Sequence, residues 1–390
     1  MSTHGAKKIY FLAVTICSIF NCLFFLVGLV SQPTVFLVLS TSLVILSTIG
    51  DAGIFCSIYV LAAQETAKDK EDINNSAANT SSSNSNTNIS NITPSSSNST
   101  TNTHTSTSTS SSAGPALMET TYAVGSMAGP LLGGLLYHWL GWSGLSLTVG
   151  LSMTVVGLAT GLAYTRAGLQ GPADRRAQTE ATSPQAAPLS HLSAVRRPWV
   201  AAACLCMVAS GVTSSWYLSS LEAHLSLTLG LAPATVALVY MCPGLVYALL
   251  TPLTGLLLDR GVPHLLLLLP AVVANLLGYL LLGPSPLLGL PPSLPATICG
   301  LLLHGLGLAI TLMTCLSLMT HEAGAGDEAG AGIVTSLWEC SELVGGYLGS
   351  SLGGLAAQRW GFREATAGVV GLEAAVLILL VIMGGRRCHG

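Results

Sequence analysis

The sequence predicts an all-α membrane protein, a bundle of about ten transmembrane helices split four plus six. Three observations carry this. The 390 residues are 51% hydrophobic and only 8% charged, whereas an average soluble domain is about 25% charged. The apolar residues gather in ten runs long enough to cross a bilayer as helices, which takes about 20 residues each. When those runs alternate across a membrane, twelve of the 14 Lys and Arg residues fall on one side, the asymmetry that orients membrane proteins.

In order, the runs are 9–30, 35–63, 116–139, 143–165, 199–221, 232–257, 264–283, 296–319, 330–357 and 364–385. The first is too long for the core of a signal peptide and lacks a small-residue cleavage site, so no cleavable leader is expected. With the N-terminus in the cytosol, that side holds Lys7, Lys8, Lys68, Lys70, Arg166, Arg175, Arg176, Arg196, Arg197, Arg260, Arg386 and Arg387, and the other holds Arg359 and Arg363. Both termini are then cytosolic. Residues 1–64 supply two helices. Residues 65–115 form a Ser/Asn/Thr-rich insert with too little apolar content to offset the entropy of ordering, and are predicted to be disordered. Two more helices follow in 116–165, then a cytosolic linker, 166–198, a six-helix bundle, 199–385, and a short cytosolic tail, 386–390. The insert carries N-x-S/T matches at Asn74, Asn79, Asn88, Asn91 and Asn98, which a cytosolic location leaves unglycosylated.

Nine of the ten cysteines lie in or against apolar segments without metal-ligand spacing and read as small buried hydrophobes. The tenth, Cys388, sits beside Arg386 and Arg387, a setting open to palmitoylation. No metalloprotease, nucleophile-elbow or phosphate-loop pattern occurs. No enzyme activity, cofactor, metal or nucleic-acid partner is expected; the bilayer is the first partner.

The stretch "VGSMAGPLLGGLLYHWLGW" (124–142) returns as "VGGYLGSSLGGLAAQRWGF" (344–362), with one Val, five Gly and two Leu coinciding at an offset of 220 that also pairs Glu119 with Glu339. An internal repeat of this kind implies two related halves. Gly125, Gly129 and Gly133, like Gly345, Gly349 and Gly353, recur every fourth residue on one helix face, where a neighbouring helix can approach backbone to backbone. Gly134 extends the first ridge, and Pro130 is expected to kink its helix.

The ionisable groups embedded in apolar runs are Asp51, Glu119, Glu339, Glu342 and Glu373, with no Lys or Arg among them. Acids in hydrocarbon cost several kcal/mol unless they face a cavity or carry a proton, so an all-acid interior points to a small organic cation, protons, or both in turn. Each residue has a plainer reading. Glu119 stands about one turn from a helix start, where an acid suits the dipole. Glu342, three residues from Glu339 on the same face, serves equally as an interhelical contact. Glu373 reads better as structurally paired, and the embedded His304 as a hydrogen-bonded core residue. Trp216, Tyr217, Tyr247 and Trp338 are packing aromatics or cation–π surfaces for an amine.

Several stretches resemble a known family. "VGSMAGPLLGG" is similar to the fifth-helix antiporter motif of the major facilitator superfamily, and "PLTGLLLDRG" (252–261) to its cytosolic loop signature in the second-half copy. "GDAG" (50–53), "METTYAVGSMAGPLLGGLLY" (118–137) and "LSSLEAHLSLTLGLAP" (218–233) resemble the vesicular amine and polyamine transporter branch, most of all its polyamine transporter-like subgroup. The resemblance implies a twelve-helix fold of which this chain shows ten, beginning at the third. A family arginine on the fourth helix is absent, with Ser47 and Thr48 near its place, and Ser350 stands where the second glycine motif usually has Pro. It also implies a proton-coupled antiporter of a polyamine or monoamine in a vesicular membrane, working by alternating access. Asp51, Glu119, Glu339 and Glu342 would bind substrate and protons, Glu222 and His224 would form a lumenal gate, and Gly255, Asp259 and Arg260 a cytosolic gating loop. Two alternatives stand beside it: a plasma-membrane organic-cation or drug exporter, and a truncated, non-transporting regulator of full-length transporters.

Overall fold

The computed structural model describes residues 3–32, 34–36, 38–58, 113–166, 191–283, 289, 291–325 and 328–389. Most of the Ser/Asn/Thr insert, including its N-x-S/T sites, and residues 167–190 of the linker lie outside the described residues. So does Gly390 at the end of the tail.

Every regular element described is helical. The chain runs α1 (Thr3–Leu23), a 3-10 turn (Phe24–Leu29), α2 (Thr34–Ile58), α3 (Ala113–Arg166), the short α4 (His191–Val195), α5 (Pro198–Thr228), α6 (Pro233–Asp259), α7 (His264–Leu282), α8 (Leu294–Ala323), α9 (Glu328–Trp360) and α10 (Phe362–His389). Among the described residues, eight helical stretches are long and apolar enough to cross a membrane. The 54-residue α3 contains two of the expected helices as one run, broken at Gly141, whose φ of 64° and ψ of −174° are not helical. Residues 330–357 fold as expected into α9. Glu339, Glu342 and many Gly and Ser lower its hydropathy, and it stands outside those eight.

Proline and glycine set the ends. Proline occupies the first turn of α5, α6 and α8, where its missing N–H costs nothing and its fixed φ suits a helix. Gly324 closes α8 in the left-handed region (φ 64°), and the N–H of Ala325 donates to the Thr320 carbonyl at 3.2 Å, the usual satisfaction of orphan carbonyls at a helix C-terminus.

Small residues bring the helices together. In the second half α9 lies along α5. A Cβ added at Gly345 or Gly349 would collide with the carbonyl of Val208 or Val212, and one at Gly353 would meet the Trp216 ring at 2.9 Å. α7 and α8 cross at Gly278 and Gly300, each facing the other's carbonyl. The first half differs from expectation. Nothing lies within 4 Å of a Cβ placed at Gly125, Gly129, Gly133 or Gly134. The ridge pattern is the same in both halves, but in the second half α5 fills it, and no described helix takes that place on α3. Nor does Pro130 interrupt α3; the helical dihedrals run on to Gly141.

The second-half core has two large apolar clusters and a small third one at Leu258 and Met313. Of the large two, one gathers around Met207, Leu312, Met319 and Trp338, with Phe55 of α2 packed against it, and the other around Trp216, Tyr217, Leu225 and Tyr279. The first half meets the second chiefly along α3 and α6.

Candidate functional site

The acids from the two halves lie within electrostatic reach of one another. Glu119 on α3 and Glu339 on α9, the repeat-related pair, are 1% and 6% exposed. Glu342 is half-buried one turn further along α9, and Asp51 is half-buried on α2. Glu119, Glu342 and Asp51 all lie within electrostatic reach of Glu339, and Glu342 feels Glu119 directly. The charges acting on Glu339 among the described residues are all acidic. Such a cluster accommodates its negative charge by holding protons or by admitting a cation.

Neighbouring side chains define its edges. The Tyr247 hydroxyl on α6 donates a hydrogen bond to Glu119. Tyr122, one turn along α3, packs edge-on against Phe55 of α2, with ring centroids 5.3 Å apart. Cys56 adjoins Glu339 and Cys340. On the first-half side a polar set surrounds Asp51. The Cys17 thiol donates to its Oδ1 at 3.0 Å, and the Asn21 amide donates to the Ser47 hydroxyl at 3.0 Å and to the Cys17 carbonyl at 2.9 Å. Asp51 and Ser47 stand out in the sequence, but Cys17 and Asn21 do not; the signal for Asn21 is a polar residue inside an apolar run.

The remaining candidates lie elsewhere. Glu222 is exposed on α5. His224 stacks on Phe362, with ring centroids 4.3 Å apart, and its Nδ1 shares a 3.2 Å hydrogen bond with Thr228. Gly255, Asp259 and Arg260 sit at the end of α6, where the Arg260 N–H donates to the Leu256 carbonyl and Gly261 turns the chain with φ 79°.

Of the four candidate aromatics, Tyr247 reaches the acids, and does so through its hydroxyl rather than its ring face. Trp338 donates its Nε1–H to the Leu312 carbonyl at 3.2 Å, and Trp216 packs on Gly353. Tyr217 stacks on Tyr240, with centroids 5.9 Å apart. His304 is fully buried. Its Nδ1 pairs with Asn275 Oδ1 at 3.0 Å while Tyr217 and Tyr279 present ring edges to it. Glu373 is 2% exposed, and its Oε1 has no hydrogen-bonding partner among the described residues. No three His, Cys, Asp or Glu side chains converge as metal ligands among the described residues. A separate apolar cavity of about 350 Å³ opens between α1 and the second arm of α3, lined by Val14, Ser18, Cys22, Thr154 and Leu158 among others.

A sequence profile of the Major Facilitator Superfamily matches residues 97–334. The human (Homo sapiens) MFS-type transporter SLC18B1 is 32% identical over 148 residues, 36% of this chain and 32% of that protein. Its rat (Rattus norvegicus) counterpart is 33% identical over 144 residues, 35% of this chain and 31% of that one. The matched chain thus spans about a third of the length of these curated relatives. In three dimensions the chain is similar to the human organic anion transporter MFSD10 (TETRAN), at 15% identity and a TM-score of 0.56, over 96% of this chain and 77% of that one. It is also similar to the transporter FucP in its outward conformation, at 12% identity and a TM-score of 0.55, over 97% of this chain and 83% of that one. At these identities the structural likeness is one of fold alone.

Proposed function

Because the chain belongs to the major facilitator superfamily, we propose that it moves a small organic cation, a polyamine or monoamine, across a vesicular membrane in exchange for protons. The observation that carries this reading is that Glu119 and Glu339, one from each half, lie within electrostatic reach of each other and of Glu342 and Asp51. A site shared between two halves is what alternating access requires, since rocking one half against the other exposes the same groups to either side in turn. The acids hold the amine by charge and are neutralised by protons when it leaves. Both termini face the cytosol in this reading. The Glu222–His224 end of α5 guards the lumenal side, and the Gly255–Arg260 turn guards the cytosolic side.

The test is uptake of radiolabelled spermidine into liposomes that carry the purified chain and an acidic interior. Wild type is expected to accumulate the probe. Glu339→Gln, which keeps size and hydrogen bonding but not charge, is expected to abolish uptake driven by the pH gradient while sparing exchange of substrate for substrate. Rates within about twofold of wild type in both Glu339→Gln and Glu119→Gln would remove the acidic site from the mechanism, because a replaced neutral contact is worth about 1 kcal/mol or less. The plasma-membrane exporter reading differs in location and in the breadth of cations accepted. One observation favours the non-transporting reading: the open glycine ridge on α3, a face suited to another polypeptide's helix. In that case the reconstituted chain alone moves no cation.

A further inference from the structure

We propose that the Tyr247–Glu119 hydrogen bond is a latch between the two halves, and that Tyr247 is a positioning residue that holds Glu119 in reserve until the halves part.

Glu119 belongs to the first half and Tyr247 to the second, and the bond joins the two helices, α3 and α6, along which the halves chiefly meet. Both ends are out of water, at 1% and 3% exposure. In this arrangement the Glu119 carboxyl is covered, whereas Glu342 and Asp51 are only half-buried. Glu339, the repeat partner of Glu119, has no side-chain hydrogen bond of this kind among the described residues. The related acids thus differ: one accepts from a hydroxyl of the opposite half, and the other is buried at 6% exposure without such a donor among the described residues. Any movement that separates α3 from α6 must break the bond, and only then is the Glu119 carboxyl free to turn to a cation held by the others. Breaking a hydrogen bond in a dry interface is costly, so an empty protein resists that movement. A cation already held by Glu339, Glu342 and Asp51 restores the lost stabilisation when Glu119 turns to it. The latch thus ties opening of the α3–α6 contact to occupancy. This role for Glu119 as a late ligand rests on the transport reading above; the mechanical link between the halves does not.

The experiment uses hydrogen exchange on the full purified chain with no substrate present, followed over peptides covering 118–127 and 243–252. Tyr247→Phe keeps the ring and its packing and removes the donor. It is expected to raise exchange in both peptides by about tenfold or more, the factor set by losing a hydrogen bond to a charged acceptor, and to leave a peptide covering 296–305 unchanged. Glu119→Ala is expected to match it, and the double variant to add nothing further. Unchanged exchange in Tyr247→Phe overturns the latch, and so do additive effects in the double variant. Spermidine binding is measured on the same samples. If wild type binds and carries spermidine while Tyr247→Phe leaves exchange unchanged, the latch fails and the transport reading stands. If wild type neither binds nor carries it while exchange rises as described, the transport reading fails and the latch stands. Weaker spermidine binding in Tyr247→Phe with unchanged exchange makes the hydroxyl a direct ligand and overturns the latch.

Discussion

Alanine at Gly349 and at Gly129, repeat-related positions with identical sequence logic, is expected to have opposite effects. At Gly349 the new Cβ would land on the Val212 carbonyl oxygen, with the Val212 Cα at 2.8 Å and its carbonyl carbon at 2.9 Å, where ordinary contact begins at 3.4 Å. Two backbones cannot yield as a side-chain tip can, so α5 and α9 must move apart along a shared seam. Overpacking of this kind costs about 1–3 kcal/mol. The better helix propensity of Ala returns about 1 kcal/mol. A net loss of up to about 2 kcal/mol lowers the midpoint of thermal unfolding by up to about 8 °C, taking 2–4 °C per kcal/mol for a body of 150–250 residues. At Gly129 the Cβ meets nothing within 4 Å. Only the propensity gain remains, so the midpoint stays put or rises by about 2–4 °C. The assay is thermal unfolding of the purified proteins in one detergent, followed by intrinsic fluorescence. A fall of equal size in both variants would refute the reasoning, because it would place a packed helix against the first-half ridge.

Further expectations concern backbone breaks, a buried histidine and an exposed acid. Ala at Gly361 or at Gly141 forces a Cβ onto backbone held at φ 88° or 64°. Each is expected to destabilise by about 1–2 kcal/mol, read in the same unfolding assay; neutrality in either would mean that the break relaxes freely. His304→Leu removes the partner of Asn275 Oδ1 in a fully buried setting and is expected to cost about 1–3 kcal/mol, whereas Glu222→Gln, exposed on α5, should leave the unfolding midpoint unchanged.

The helices were legible because hydropathy and length are local properties. Each of the ten apolar runs is helical, apart from the 3-10 turn that ends the first and the described limit of the second at Ile58. The embedded acids were legible too, since a carboxyl inside an apolar run stands out whatever surrounds it. What the residues could not reveal depends on how one helix is rotated against another. Tyr247 sits on a helix that is apolar on nearly every side, so no periodicity told its ring face from its hydroxyl as the working end. Only the placement of α6 against α3 aims the hydroxyl at Glu119. The glycine ridges failed for a related reason. A row of glycines states that a helix can come close, and says nothing of whether one does: α5 closes on Gly345 and Gly349, while no described residue closes on Gly125 or Gly129. Asp51 was singled out alone, because its companions Cys17 and Asn21 come from another helix.

The repeat explains why acids from separate halves can share one site. Both Gly141 and Gly361 take positive φ and end a long helical run. Glu119 lies 22 residues before the first break and Glu339 lies 22 before the second, about 33 Å of helix at 1.5 Å per residue. Two helices measured from equivalent ends therefore carry their acids at the same depth. Aromatic residues follow both breaks: Trp142 donates its Nε1–H to the Phe24 carbonyl at 3.3 Å, and Phe362 stacks on His224. Each tethers its break to the helix run that ends beside it. A one-residue insertion between Glu339 and Gly361 would rotate the acid by about 100° and move it by about 1.5 Å, turning it away from Glu119 without altering composition or hydropathy. The convergence of the acids is thus a property of register, written in the spacing between each glutamate and its glycine.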